Sequence, residues 1–169
     1  MIFNFFLAML FTMILKNFKN IAIGGISGTE LQERLRKADI HFNEYAEILF
    51  QDPLFEIDPI LKKVTLAKVN LTGLSLEKSS TFEEIVRAAK ECELNLCPMF
   101  LAAFLRLEYL DQPEGPYLTI ASKKPISEEK YPCGFYLRNL DGKLWLRGYF
   151  ASDDYLWPLE SEFVFISGT

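Results

Sequence analysis

The chain has 169 residues, a formal net charge of −5 at pH 7 and a pI near 5.0. Half of its residues are hydrophobic and 14% are aromatic, which excludes a largely disordered protein because such chains lack enough apolar surface to form a core. Binding of nucleic acid needs a surplus of Lys and Arg, so the acidic balance argues against nucleic acid as a partner. The length fits a single domain.

The first residues, Met1 to Leu15, are almost wholly apolar. This run is shorter than the ~20 residues that a membrane-spanning helix needs, and its flanking lysines follow it, unlike those of a secretory signal. A membrane anchor and a cleaved signal remain alternatives to an upstream extension, with translation beginning at Met13, which we favour. We therefore predict an apolar extension over residues 1–17 and one α+β domain over 18–169.

The next part of the chain carries signals for a strand and two helices. A strand is predicted over Phe18 to Ile23, before a glycine-rich turn. Ser27 or Thr29 is placed to cap the first helix, because a hydroxyl there accepts a hydrogen bond from a free amide of the first turn. Asn43 is placed to cap the second helix, and Asp52-Pro53 ends it.

The middle of the chain is predicted to contain strand structure and two further helices. Apolar residues alternate with polar ones from Val64 to Leu71, which is a strand pattern. The spacing Thr81-x-x-Glu84 is that of a capping box and predicts a helix start. Cys97-Pro98 is predicted to open a short helix with Cys97 as its N-cap. Met99 to Phe104 is apolar on all sides, which predicts the buried centre of the fold.

The last part of the chain reads as a series of strands. The predicted strands are Leu105 to Tyr109, Pro116 to Ala121, Cys133 to Arg138, Lys143 to Phe150 and Glu162 to Ile166. Asp141-Gly142 lies in the predicted turn of the central hairpin, where such a pair tolerates positive φ angles. The predicted fold class is α+β, with N-terminal helices packed on a mainly antiparallel sheet formed by the C-terminal half.

Histidine and cysteine are sparse. The only histidine, His41, is interpreted as a loop residue rather than a general base, since no nucleophile neighbours it in sequence. Cys92, Cys97 and Cys133 form no CxxC pair, which favours a reducing, cytoplasmic compartment and argues against zinc. As an N-cap, Cys97 would have its pKa lowered by the helix dipole, whereas burial would oppose this. No metal or cofactor is predicted.

The carboxylates provide no recognisable catalytic motif. Asp153 and Asp154 are adjacent, and side chains of adjacent residues in an extended segment point to opposite sides. A solvated loop is therefore favoured over a metal site or a hydrolytic pair. The sequence also lacks DxDxDG, HExxH, GxSxG and Gly-rich phosphate-loop motifs.

The predicted hairpin has the most distinctive composition in the chain. Alternate positions place one set of its side chains on one side of the sheet, and we call this set the aromatic–arginine face: Tyr136, Arg138, Trp145, Arg147 and Tyr149. Tyr, Trp and Arg are the residues that dominate binding hot spots. Together with Trp157, which follows and extends it, this face is the predicted binding surface. Cover by the N-terminal helices or by a second copy of the chain is the alternative.

The segments Leu94 to Pro98 and Leu105 to Pro113 contain Leu-Cys-Pro and Leu-Arg-Leu-Glu-Tyr-Leu-Asp-Gln-Pro runs. With these runs the chain resembles a family of small bacterial proteins of unknown function, over roughly residues 20–166. This chain has Glu93-Leu94 where the family pattern has Gly-Leu. The resemblance carries over no catalytic role.

The same segments draw attention to five polar or reactive side chains as a candidate cluster: Cys97, Arg106, Tyr109, Asp111 and Gln112. An ion pair of Arg106 with Asp111 or another carboxylate, fixing the end of the predicted strand, is favoured over a substrate clamp.

We therefore expect a non-enzymatic binding domain of a bacterial cytoplasm that uses the aromatic–arginine face. Its partner is expected to be a protein or a small ligand, with a homodimer as a further alternative. Two other functions stay open. One is a small hydrolase or transferase with a site near Cys97, Arg106, Asp111 and Gln112. The other is a membrane-tethered form of the binding domain, which requires that residues 1–15 are retained.

Overall fold

A computed structural model describes residues 17–125 and 130–168. Apart from Asn17, the predicted N-terminal extension lies outside the described residues, as does Met13. Among the described helices, none combines the length and the apolar character that crossing a membrane requires.

The described elements begin as alternating strands and short helices and end with four consecutive strands. In chain order they are β1 (Lys19–Ile23), α1 (Gly28–Lys37), β2 (His41–Phe42), α2 (Glu44–Leu49), a 3-10 turn (Pro53–Phe55), β3 (Lys62–Asn70), α3 (Phe82–Glu91), β4 (Leu94–Asn95), α4 (Leu101–Glu108), β5 (Leu118–Ile120), β6 (Gly134–Leu140), β7 (Lys143–Tyr149) and β8 (Glu162–Ser167). The strands form one sheet in the order β1-β3-β8-β5-β6-β7-β2, and β4 pairs with β8 outside this path.

The predicted α+β class is confirmed, but two details of the sheet prediction are wrong. The sheet is mixed, because β8 runs parallel to β5 and β2 runs parallel to β7. It also includes β1 and β3, which come from the first half of the chain. Hairpin signals are local in sequence, whereas β8 inserts between β3 and β5, which precede it by many residues.

The helix starts follow the predicted capping residues. The Ser27 side chain accepts the N–H of Glu30 at 3.1 Å, and Asn43 caps α2. Thr81 and Glu84 form the predicted capping box at the start of α3. A cap depends on residues three positions apart, so it is readable without knowledge of the tertiary fold.

The predicted strand from Leu105 to Tyr109 is wrong, because these residues belong to α4 and its C-terminal cap. Met99 to Phe104 is buried throughout, as predicted. A segment that is buried on every side has no polar face, so its hydrophobic pattern does not distinguish a helix from a strand.

The two sides of the sheet are covered unequally. One side packs against α1, α2 and α4 and carries the larger core, with Leu31, Leu101 and Phe135 among its fully or almost fully buried members. The other side packs against α3, where Ile85 and Phe163 belong to a smaller core. No described residue of β6 or β7 belongs to this second core, so on that side no helix covers these two strands.

Candidate functional site

The aromatic–arginine face lies on the side of β6 and β7 that no helix covers. In the register of the hairpin, Tyr136 is opposite Arg147 and Arg138 is opposite Trp145. Since paired residues share one side of a sheet, the face projects together as the alternation predicts. All of its side chains are of intermediate exposure.

A row of aromatic rings connects this face with the core beneath α3. The ring centroids are separated by 5.0 Å between Tyr117 and Tyr136, 6.4 Å between Tyr136 and Tyr149, and 5.6 Å between Tyr149 and Trp157. Trp157 then lies 5.0 Å from Phe163, which is fully buried. The open half of the sheet is thus anchored by ring packing to its covered half.

The two arginines of the face lie over aromatic rings. The guanidinium carbon of Arg138 is 4.6 Å from the ring centroid of Tyr117, and that of Arg147 is 5.1 Å from that of Trp145. The Nε atom of each arginine is buried and has no hydrogen-bond acceptor among the described residues. Neither arginine forms an ion pair within residues 17–125 and 130–168.

Positive charge on this face is therefore not compensated by its neighbours. The side chains that point to this side of β6 and β7 include no carboxylate: they are Tyr136, Arg138, Leu140, Lys143, Trp145, Arg147 and Tyr149. Burial raises the pKa of Tyr136, while the two nearby guanidinium groups act in the opposite direction. The face can therefore donate hydrogen bonds and attract anions.

His41 is part of β2 and does not lie in a loop. Its ring centroid is 5.0 Å from that of Trp145, so it borders the aromatic–arginine face at the edge of the sheet. No described nucleophile shares a hydrogen bond with it, and its observed role is ring packing.

Arg106 forms a buried structural network that does not include a carboxylate. The side chain is fully buried, and its Nη1 donates to Gln112 Oε1 at 2.6 Å and to the Trp145 carbonyl at 3.4 Å. Its Nη2 donates to the Tyr109 carbonyl. The predicted pair of Arg106 with Asp111 is wrong, because Asp111 is exposed and Gln112 occupies that role.

Cys97 lies apart from this network. It is buried, its thiol donates to the Val164 carbonyl at 3.6 Å, and its backbone forms a bridge with Ser122. Since α4 begins only at Leu101, Cys97 is not an N-cap, and burial raises the pKa of its thiol. The groove that reaches Cys97 is lined by neither Arg106, Asp111 nor Gln112, so the predicted cluster is not assembled into one site.

A cleft of about 540 Å³ lies between α3 and the segment that follows β7. Phe82 and Val86 of α3 line one wall, and Trp157 lines another. Ser122, which follows β5, and Tyr149, the last residue of β7, line its floor. Of these residues the sequence pattern singled out only Tyr149 and Trp157 as binding residues, because no motif links the segments that meet here.

The cleft floor brings hydroxyl, thiol and ammonium groups together. A Cβ atom placed on Gly134 would lie 3.2 Å from Ser122 Oγ and 3.5 Å from the Tyr149 hydroxyl, so both hydroxyls converge over this glycine. Lys124 Nζ bonds Asp153 Oδ1 at 2.6 Å, and this bond raises the pKa of Lys124. The Cys133 thiol lies close to Lys124 and donates to the Ala151 carbonyl at 3.3 Å.

Metal-ligating residues are scattered in the described structure. Over residues 17–125 and 130–168, no three His, Cys, Asp or Glu side chains come together in a way that would hold an ion. Asp153 bonds Lys124, whereas Asp154 accepts the Ser152 hydroxyl at 2.6 Å, so the two neighbours do not converge on one point.

Comparison of the chain with protein-family models, with curated proteins and with solved structures finds no match.

Proposed function

We propose that the chain is a non-enzymatic binding domain whose aromatic–arginine face receives an acidic segment of a partner protein. The observation that carries this proposal is the pair Arg138 and Arg147, which share an open sheet side to which β6 and β7 contribute no carboxylate. Two guanidinium groups on one face repel each other, and an acidic partner would relieve that repulsion. Complementary charge across an interface also gives specificity.

The shape of the face favours a protein segment over a small ligand. The face is one side of a hairpin rather than an enclosed cavity. Its Trp and Tyr side chains offer large contact areas with few rotatable bonds, and Arg is also enriched in binding hot spots. Tyr117, which is 50% exposed, continues it at one end. Cys92, Cys97 and Cys133 form no disulfide in the described part of the chain, which supports the cytoplasm as the place of action.

An enzyme at the alternative site has less support. The Cys97 thiol is buried with a raised pKa, whereas a nucleophilic cysteine needs a lowered one. Arg106 and Gln112 are sealed inside the fold, where a substrate would not reach them. A membrane-tethered form of the binding domain depends on residues outside the described part of the chain.

The proposal is tested by photo-cross-linking in the producing cell. In one variant, a photoreactive phenylalanine analogue replaces Tyr117 at the face. In a second variant it replaces Ile48, which is 41% exposed and lies in α2, on the other side of the sheet. We expect a cross-linked partner from position 117 only. A second copy of this chain would be recognised by its mass.

The role of charge is tested in the same cells. Arg138→Ala combined with Arg147→Ala should reduce the cross-link at least about tenfold, since several charge-assisted contacts are lost. Arg34→Ala combined with Arg36→Ala on α1 removes the same charge elsewhere and should change little. A cross-link that is equally strong at both positions, or that survives the loss of both face arginines, would contradict the proposal.

A further inference from the structure

The cleft beside α3 has the dimensions and the apolar walls of a small-molecule site. Its volume of about 540 Å³ falls within the ~300–1,000 Å³ that such sites occupy. Phe82, Val86 and Trp157 supply apolar wall surface. An apolar or aromatic group of modest size would be desolvated there.

Two hydroxyl groups lie close together at the floor of this cleft. The side chains of Ser122 and Tyr149 lie over Gly134, and neither hydroxyl bonds any described group. Ser122 is only 4% exposed. Burial raises the pKa of Tyr149, so its hydroxyl stays protonated and is a donor. An acceptor atom placed above both hydroxyls would accept a hydrogen bond from each of them.

The cleft is also positively charged, although the chain as a whole is acidic with a net charge of −5. The charged side chains that line it are the cations Arg87, Lys90, Lys123 and Lys124 and the carboxylates Glu83 and Asp153. Four cations against two carboxylates leave a surplus of two positive charges. Lys124, whose side chain is 31% exposed, pairs with Asp153, whose side chain is 93% exposed. Because Asp153 is open to solvent, a ligand carboxylate that takes its place at Lys124 would leave it hydrated.

We propose that this cleft binds a small monocarboxylic acid with an apolar or aromatic body. The carboxylate oxygens accept hydrogen bonds from Ser122 and Tyr149 and face the Lys124 ammonium group. The body of the ligand packs against Phe82 and Trp157. Two hydroxyl donors and one inner cation match the two oxygens and the single charge of a carboxylate, whereas a phosphate dianion needs more donors.

This site is distinct from the aromatic–arginine face as a functional surface, although the Tyr149 and Trp157 rings border both. Failure of one proposal therefore leaves the other intact. Arg138→Ala combined with Arg147→Ala removes the charges of the face, and neither residue lines the cleft. Binding of the acid by this double variant should equal that of the wild-type protein.

The test is isothermal titration calorimetry with 3-phenylpropionate and its neutral isostere, 3-phenylpropanamide. We expect the acid to bind at least about tenfold more tightly than the amide, because only the acid forms charge-assisted bonds. This comparison uses the wild-type protein, so it does not depend on the folding of any variant. Equal affinities, tighter binding of phenyl phosphate, or no heat from either compound up to about 10 mM would overturn the proposal.

Two conservative variants assign the contacts. Tyr149→Phe and Ser122→Ala each remove one hydroxyl, and each should weaken binding of the acid about five- to tenfold. The matched control is Tyr155→Phe, because Tyr155 also contacts the Trp157 ring but does not line the cleft. Unchanged affinity in both Tyr149→Phe and Ser122→Ala would show that the acid does not occupy the cleft floor.

Discussion

The side chain of Asn43 pairs with the backbone of Gly148 in both directions. Its Nδ2 donates to the Gly148 carbonyl at 2.9 Å, and its Oδ1 accepts the Gly148 N–H at 2.8 Å. The same Oδ1 accepts the Ala46 N–H at 3.0 Å and so caps α2. The Asn43 side chain therefore continues the backbone hydrogen bonding between β2 and β7 by one more position. Without it, the N–H and carbonyl groups of Gly148 at the edge of β7 would lack these partners.

Replacement of this asparagine should destabilise the fold. Asn43→Ala leaves the Gly148 peptide and the first turn of α2 without partners, so we expect a loss of about 2–3 kcal/mol in the free energy of unfolding. Urea denaturation measures it. Asn20→Ala, which removes an exposed hydrogen bond to Thr65, is the matched control and should cost less than about 0.5 kcal/mol. Equal effects of the two variants would contradict this assignment.

Gly148 itself should not tolerate a side chain. A Cβ atom there would lie 2.6 Å from the carbonyl carbon of Tyr45 and 2.8 Å from the Ala46 nitrogen, both of which are backbone atoms. Gly148→Ala should therefore lower the unfolding free energy by about 2–4 kcal/mol, through displacement of α2 from β7. At Gly28 a Cβ would meet nothing within 4 Å, so Gly28→Ala should be neutral or slightly stabilising. Thermal unfolding of the two variants compares them directly.

Arg106 should be essential for stability rather than for binding. Burial lowers the pKa of Arg106 to about 10, so the guanidinium remains charged at neutral pH while its donors satisfy Gln112 and two backbone carbonyls. Arg106→Met leaves these buried acceptors without donors and should cost at least about 3 kcal/mol.

Arg34→Met is the control for this experiment, because Arg34 is exposed and forms only an i,i+4 pair with Glu30. It should change the unfolding free energy by less than about 0.5 kcal/mol. If Arg106→Met also changed the unfolding free energy by less than about 0.5 kcal/mol, the buried network would not be what holds α4 to the sheet.

The face arginines should behave in the opposite way. Arg147→Leu removes one of two like charges that have no described counter-ion, so its unfolding free energy should equal or exceed that of the wild-type protein by up to about 1 kcal/mol. Calorimetry at low salt measures this change. A loss of more than about 2 kcal/mol would identify Arg147 as a structural residue and remove the basis of the proposed binding face.

Tyr149 should make stability fall at alkaline pH. Burial raises its pKa above the ordinary value, so above about pH 10 the unfolded chain loses this proton while the folded chain keeps it. The folded state then binds more protons, and stability decreases as pH rises. In Tyr149→Phe this part of the decrease, up to about 1.4 kcal/mol per pH unit, should disappear. Urea unfolding at several pH values from 8 upward measures the difference, with exposed Tyr155 as the site of the control variant Tyr155→Phe.

Features that depend on neighbouring residues were predictable from the sequence. The caps at Ser27, Asn43 and Thr81 follow from residues three positions apart, and the Asp141-Gly142 turn follows from two adjacent residues that both adopt positive φ. The alternation in β6 and β7 correctly placed the aromatic and arginine side chains together, because side-chain direction in a strand has a period of two.

Features that depend on distant contacts were not predictable. Asn43 was recognised as a cap, yet its bonds to Gly148 join positions that are 105 residues apart. The cleft likewise assembles α3, Ser122 and Lys124, and the segment around Trp157. No local pattern marks Ser122 as a partner of Tyr149, since their proximity arises from the order of strands in the sheet.

The unequal cover of the sheet gives its two halves different tolerance to substitution. Where α3 and α4 lie on opposite sides, successive side chains of β3 and β8 point into one core or the other, so a change of volume at either kind of position meets a packed interior. Side chains on the uncovered side of β6 and β7 have no helix to displace. That surface is free to acquire new specificities by substitution while the scaffold that carries it stays unchanged.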